Sequence, residues 1–273
     1  MHYADLHIHS SYSDGILSPE EIVKASIEQG LKCISITDHD TIASQYITKQ
    51  YISGIKIIPG VEFSTEYEGR EIHILGYFID IDNKKILQMV GNLQKTREER
   101  ALQILQKLKE VDVHIELEEI KKYDTASFGR GNIANAIAKK GYAKNYKEAF
   151  LKYLDKDKIA FVPGKKLNYR DVLELINESS GIPVLAHPGK IYRSMGLEDV
   201  IKEFKCYGLK GLEVYHTSHK SNQISTFYNL SKKYKLVITG GSDFHGKENM
   251  EPLLGIQGIN ETLLNKLINF KYK

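Results

Sequence analysis

The feature that most constrains this chain is a pattern that recurs from one end to the other: a strand, then histidine or acid at its C-terminal end. It opens with Asp5-Leu6-His7-Ile8-His9-Ser10. Residues two apart on a β-strand share a face. His7 and His9 therefore aim two imidazoles at one spot, while Leu6 and Ile8 face away. Ser13-Asp14-Gly15 follows as a turn carrying a carboxylate. The strand expected over 31–37 runs into Asp38-His39-Asp40, and the one over 55–64 ends at Glu62. A strand over 71–79 carries His73 near its start. Later strands over 182–189 and 236–246 deliver His187, then Asp243 and His245. One strand-end histidine is more often a satisfied core or surface residue. The full set, with Asp243-x-His245 mirroring His7-x-His9, points to one built site.

Helices alternate with these strands. Ser18-Pro19-Glu20-Glu21 is a capping box with proline at the first helical position, and Gly30 suits the C-cap. Further helices are predicted over 41–53, 169–179, 197–206, 223–234 and 261–270. Between 83 and 163 the rhythm changes. Leu87, Val90, Leu93, Leu102, Leu105 and Leu108 have helical spacing, and Lys95 to Arg100 reads as a charged, solvated stretch. Shorter helices are expected near 115–120, 130–140 and 146–154. This block reads as an all-α insertion between two barrel segments, 1–82 and 164–273. Seven strands are expected in all. A chain of 273 residues accommodates one α/β barrel or two modest domains.

In parallel α/β barrels the strand ends open on one face. His7, His9, Asp14, His39, Glu62, His73, His187, Asp243 and His245 would converge there. Packing imidazoles and carboxylates together out of water is costly unless charge is compensated. Divalent cations resolve the conflict, because they take neutral imidazole and anionic oxygen, and Zn, Mn or Fe suit a mixed shell. Nine ligands are too many for one ion and suit three divalent metal ions, with a carboxylate bridging two of them. His216 and His219, just past a strand end, are placed beside the pocket; His2 and His114 are left to the surface.

The formal charge of +3 is too small for a nucleic-acid coat, so no duplex partner is expected. Cys33 and Cys206 lack C-x-x-C spacing and read as reduced core thiols. No apolar run has the length of a membrane span, and no signal peptide is read at the start. A cytoplasmic protein without a membrane partner is expected.

The motifs H-I-H-S, S-D-G, T-D-H-D-T, G-V-E-F-S, I-H-I-L-G-Y, L-A-H-P-G and G-G-S-D-F-H-G, in this order, resemble those of the PHP (polymerase and histidinol phosphatase) family. The insertion, with Phe128-Gly129-Arg130-Gly131-Asn132-Ile133-Ala134 and Glu148-Ala149-Phe150-x-x-Tyr153-Leu154, resembles one branch of it. That branch comprises nucleoside 3′,5′-bisphosphate phosphatases, some of which are also 5′-to-3′ exoribonucleases on short RNA. The resemblance implies an α/β fold, a distorted (β/α)7 TIM-like barrel with an inserted all-α lid domain and a trinuclear metal centre. It assigns His7, His9, Glu62 and Asp243 to a first metal, Glu62 as a bridge with His73 and His187 to a second, and Asp14, His39 and His245 to a third.

The implied reaction is hydrolysis of a phosphate monoester by a metal-activated hydroxide, with Glu62 bridging. Arg130 would clamp a phosphate, and Asn132, where the branch usually has histidine, would donate to one. His219, with His216, would contact phosphate or protonate the leaving oxygen, and Asp38 would orient a metal-binding histidine. The substrate is expected to be a phosphorylated small molecule or short oligonucleotide, and the chain a monomer. The alternatives are a histidinol phosphatase or other PHP phosphatase or exonuclease, and a nucleotide-sensing metal-binding module without turnover.

Overall fold

The structure, a computed structural model, describes residues 2–49, 54–120, 128–191, 196–246 and 253–272. β1 (Ala4–Ile8) is buried along its whole length. α1 (Pro19–Glu28) starts at the expected capping box: Glu21 N donates to Ser18 Oγ at 3.2 Å and Ser18 N to Glu21 Oε2 at 2.7 Å. Two further strands, β2 (Cys33–Ile36) and β3 (Lys56–Ile57), complete a parallel sheet in the order β1-β2-β3, with α2 (Ala43–Thr48) between them. The helix expected over 41–53 is shorter than predicted, and 50–53 lie outside the described residues.

The strand expected over 55–64 is two strands in two sheets. Proline cannot donate to a ladder. β3 stops before Pro59, and β4 (Gly60–Tyr67) starts after it in the second sheet. β4 turns through Glu68 and Gly69, both at positive φ, into β5 (Arg70–Tyr77). A two-residue turn of this kind makes an antiparallel pair and no other, and here it sets Ser64 opposite His73. This hairpin interrupts the β/α alternation and makes the sheet mixed.

The helical block follows: α3 (Lys84–Lys109), α4 (Leu117–Ile120), α5 (Arg130–Lys139) and α6 (Tyr146–Ala149), which runs into one π-helical turn at Phe150–Leu154. The chain returns through β6 (Leu167–Asn168), α7 (Tyr169–Glu178), β7 (Ile182–Leu185), α8 (Leu197–Cys206), β8 (Gly211–His216), α9 (Ser221–Lys233), β9 (Val237–Gly241) and α10 (Glu261–Lys271). The second sheet has the order β6-β4-β5-β7-β8-β9, antiparallel at β4/β5 and β5/β7 and parallel elsewhere. The described residues thus form an α/β fold with two sheets rather than a uniform β/α repeat.

α3 was legible as a helix, but its buried face is rotated from the predicted one. Ile86, Val90, Leu93, Ala101, Ile104 and Leu108 are buried, while Leu87 and Leu102 are exposed. Its first half packs in the main core with β4, α7 and α8 residues, and its second half in a separate core shared with α5 and α6. One rigid helix, about 39 Å long by its residue count, therefore joins both cores. Cys33 is buried as expected, whereas Cys206 is exposed.

The two sheets meet where β1 passes β9. Gly241 makes this possible, since a Cβ there would lie 2.4 Å from His7 Cβ. The buried Asp5 carboxylate locks the seam, accepting from Ser242 N at 2.9 Å, Ser242 Oγ at 2.6 Å, Gly255 N at 2.9 Å and His7 N at 3.3 Å. Asp5→Ala leaves these buried donors unanswered and is expected to destabilise the metal-free protein by about 3 kcal/mol. Urea unfolding measures this; a loss below about 1 kcal/mol would contradict the role.

Candidate functional site

Glu62 lies fully buried in β4 and gathers five imidazoles. Its Oε2 is 3.3 Å from His7 Nε2, 3.3 Å from His9 Nε2 and 3.1 Å from His39 Nδ1. Its Oε1 is 2.9 Å from both His73 Nδ1 and His187 Nε2. Asp243 Oδ1 lies 3.1 Å from His9 Nε2, and Asp14 Oδ1 lies 3.1 Å from His245 Nε2. All nine expected ligands therefore come together. His73 reaches the cluster from within its strand, because the antiparallel register sets it across from Ser64, beyond Glu62.

Oxygen and nitrogen donors close enough to share an ion recur across this cluster: His9, Asp14, His39 and His245; His7, His9 and Asp243; His7, Glu62 and His187; His39, Glu62 and His73. His9 Nδ1, Asp14 Oδ1, His39 Nδ1 and Glu62 Oε2 are buried without a hydrogen-bond partner. Buried polar atoms left so are costly, and a cation answers them. The donor set, mixed imidazole and carboxylate, fits Zn, Mn or Fe.

The charges balance locally. Burial alone would push the Glu62 carboxyl up, but the imidazoles of His7, His39 and His73 hold it well below the usual range. Burial opposes charge on His9 and His73 too, yet neighbouring carboxylates raise them to about 9 and about 10. Burial dominates at His39 and His187 and takes both to about 3. In the metal-free cluster the carboxylates thus favour the charged ring at His9 and His73, and burial favours the neutral ring at His39 and His187.

Carboxylates outside the cluster orient its rings, and the sequence reading missed them. Glu213 Oε1 takes His7 Nδ1 at 3.0 Å while its Oε2 accepts from His187 N at 2.7 Å. Glu71 Oε1 takes His73 Nε2 at 2.9 Å. Such outer carboxylates fix the tautomer of a ligating histidine. A lone acid inside the buried strand Gly211–His216 was the available sign for Glu213. Lys190 Nζ, 3.1 Å from Asp243 Oδ2, was also missed.

Other residues stand where predicted but do something else. Asp38 orients no imidazole among the described residues. Its carboxylate accepts from Ser10 N and Ser10 Oγ, both at 2.7 Å, and from Ser13 Oγ at 2.5 Å, holding the loop that carries Asp14. His219 has both nitrogens engaged by backbone: Nδ1 donates to Val214 O at 2.9 Å and Nε2 accepts from Gly189 N at 3.1 Å. It packs so tightly that a Cβ on Gly189 would lie 2.4 Å from its Cδ2. It therefore braces the turn after His187 and has no free nitrogen for a substrate. His216, 3.3 Å from Asp243 Oδ2, is buried behind that ligand. Asn132 Nδ2 donates to Ser13 O at 3.2 Å, pinning α5 to the Asp14 turn rather than reaching into the cavity.

A cavity of about 380 Å³ adjoins the cluster. Asp14, His39 and His73 line one part of it; Arg130, Tyr146, Phe150 and Phe161 from the helical block line another. Arg130 is there as predicted, donating to Leu154 O at 3.3 Å, with its guanidinium 5.2 Å from the Phe150 ring centre. Arg97, bonded to Asp40, and Arg100 also line it, so the expected solvated stretch faces the site.

The PHP domain profile matches residues 5–162. A Haemophilus influenzae protein named 5′-3′ exoribonuclease is 33% identical over 88% of this chain and 89% of its own. A Chromobacterium violaceum 3′,5′-nucleoside bisphosphate phosphatase is 27% identical over 88% of this chain and 86% of its own. A solved Bifidobacterium adolescentis structure, described as a candidate metal-dependent phosphoesterase, superposes with a TM-score of 0.85 at 25% identity, covering 97% of this chain and 95% of that one.

Neighbouring carboxylates favour the protonated form of His9 and His73, and both must be neutral to ligate, so a metal bound there would displace protons. Affinity should fall as pH falls. The rise in Tm on adding Mn is expected to grow between about pH 6 and about pH 9; a pH-independent rise would contradict this. His219→Ala is expected to weaken metal binding about 10-fold by loosening the His187 turn. It should leave the shape of the pH–rate profile unchanged, which a general acid at this position would not.

Proposed function

The chain belongs to the PHP family as a metal-dependent phosphoesterase, and on that premise we propose that it removes the 3′-phosphate of nucleoside 3′,5′-bisphosphates. The observation that carries the reading is the cavity itself, where the His/carboxylate cluster, basic side chains and an aromatic wall meet. Aromatic faces stack on bases of any sequence, and Tyr146, Phe150 and Phe161 offer such a wall. The named activity of the Chromobacterium violaceum relative supports the substrate class.

We read the two sheets as arcs of one distorted (β/α)7 barrel, residues 1–82 and 164–273, with 83–163 as its lid. The nine ligands suit three cations: His7, His9, Glu62 and Asp243 for one, Glu62 with His73 and His187 for a second, and Asp14, His39 and His245 for a third. When bound, such cations supply Lewis acidity, which lowers the pKa of water and neutralises phosphate oxygens. Glu213 and Glu71 keep His7 and His73 in the ligating tautomer. Lys190 and His216 hold the outer oxygen of Asp243 and leave its other oxygen to the cluster. Arg130 presents a planar fork to a phosphate from the lid side.

Short 5′-phosphorylated RNA is a second reading, favoured by one feature. Leu93, Thr96 and Lys165 line both the cavity and an adjoining groove of about 500 Å³ between α3 and α7, which offers room for a longer chain. The Haemophilus influenzae relative's name agrees with it.

Mn-loaded protein is expected to release phosphate from adenosine 3′,5′-bisphosphate, and chelation to abolish this. His9→Ala should lower kcat/KM by about 100-fold or more. Phosphate-release assays check both; turnover unaffected by chelation or by the substitution would overturn the reading.

A further inference from the structure

The three groups of candidate ligands are not held alike. The side chains of Asp14, His39 and His245 are the most exposed of the nine, at 25%, 19% and 19%. Asp14 and His39 line the cavity directly. His7, His9 and Glu62 are fully buried, and His187 is close to it. His73 and Asp243 fall between, at 16% and 15%.

Outer support divides the same way. Glu213, Glu71, Lys190 and His216 brace ligands of the first two groups, and all four come from residues outside 83–163. Among the described residues no carboxylate from beyond the cluster orients His39 or His245. His39 Nδ1 is buried without a hydrogen-bond partner, and His245 Nδ1 donates to a backbone oxygen, Asp243 O, at 2.8 Å.

The third group leans on the helical block instead. Asn132 Nδ2 donates to Ser13 O at 3.2 Å, one residue before Asp14. α5 lies against that turn, since a Cβ on Gly131 would be 3.5 Å from Asp14 Cβ. Arg97 pairs with Asp40, one residue after His39. Two of the three ligands therefore sit on loops that the block steadies. Partners of this outer kind are worth about 10- to 100-fold in metal affinity.

We propose that the helical block completes the third group, through Asn132 on the Asp14 turn, so that this group takes an exchangeable divalent cation while the other two hold resident ones. Turnover would then answer to the free cation level. The inference rests on the metal-dependent phosphoesterase reading above and adds a regulatory cation to that same site, with Asn132 as a positioning residue.

Metal-free protein is titrated with Mn, and free Mn is read by electron paramagnetic resonance. Two tight sites are expected, and a third about 10-fold weaker or more. Asn132→Leu keeps the side chain's size, and it forfeits no acceptor contact because Asn132 Oδ1 is buried without a partner. It should weaken the third step by about 10-fold and leave the first two unchanged. Hydrogen exchange gives a second reading in the wild type, and decides alone if the variant does not fold. Coupling between sites is reciprocal, so amides 130–134 should gain protection over the third step and not over the first two. Phosphate release from adenosine 3′,5′-bisphosphate should also follow the third step. Three equal affinities, a loss spread evenly over all steps in Asn132→Leu, or a third step untouched by it would each overturn the inference. So would protection at 130–134 indifferent to the third step, or release already complete with two cations. All of these leave the phosphoesterase reading standing, whereas a wild type that binds no Mn overturns both.

Discussion

Five imidazoles on one buried carboxylate is the constraint around which the rest of this molecule is arranged. Glu62 receives His7 and His9 from β1, His39 from the loop after β2, His73 from β5 and His187 from the turn after β7. These segments come from two different sheets. The sheets must close on one another for the cluster to exist, and the closure is visible in the backbone: His39 bridges Glu62, and Asp40 N donates to Glu62 O at 2.9 Å. Charged groups buried this densely are tolerable only when each is paired. Metal-free, protons on the imidazoles do the pairing; cations would replace them.

Backbone strain falls at or beside the candidate ligands of the cluster. Asp40, His187 and Asp243 all have positive φ, at 54°, 26° and 58°. For residues with a Cβ this costs on the order of 1–2 kcal/mol each, and it persists only where surroundings enforce it. Each has its clamp. Ser64 N and Arg97 hold the Asp40 carboxylate. Glu213 and His219 hold the backbone at His187 and Gly189. Asp243 N donates to His7 O at 2.9 Å, and its side chain is gripped by Lys190 and His216. Polar residues that resemble catalytic candidates in a sequence are here mostly structural, and the ligands depend on them.

This explains what was legible in advance. His7 and His9 could be read because a strand has a fixed period, and a two-residue spacing on it has one meaning. Leu197–Cys206 could be read to the residue because amphipathic spacing and flanking turns coincide there. Asp38, His219 and Asn132 could be placed near the site but not given a partner. Whether a polar side chain meets a ligand, a backbone amide or a substrate is decided by the packing of distant segments, and sequence spacing carries no trace of it. Arg97 and Arg100 were misread for a related reason. A run of charges on a helix looks solvated unless the chain returns to cover it, as residues 128–166 do here.

α3 then links recognition to the metal site mechanically. Its first half is fixed in the main core and its second half in the core of the helical block, so the block cannot shift as a free flap. Two polar contacts tie it to loops that carry candidate ligands: Arg97 to Asp40 beside His39, and Asn132 to Ser13 beside Asp14. A movement of the block would pull on both loops. The aromatic and basic wall supplied by the block is thus positioned by the same contacts that steady the ligands. A substitution at Arg97 or Asn132 therefore disturbs the cluster as well as the wall.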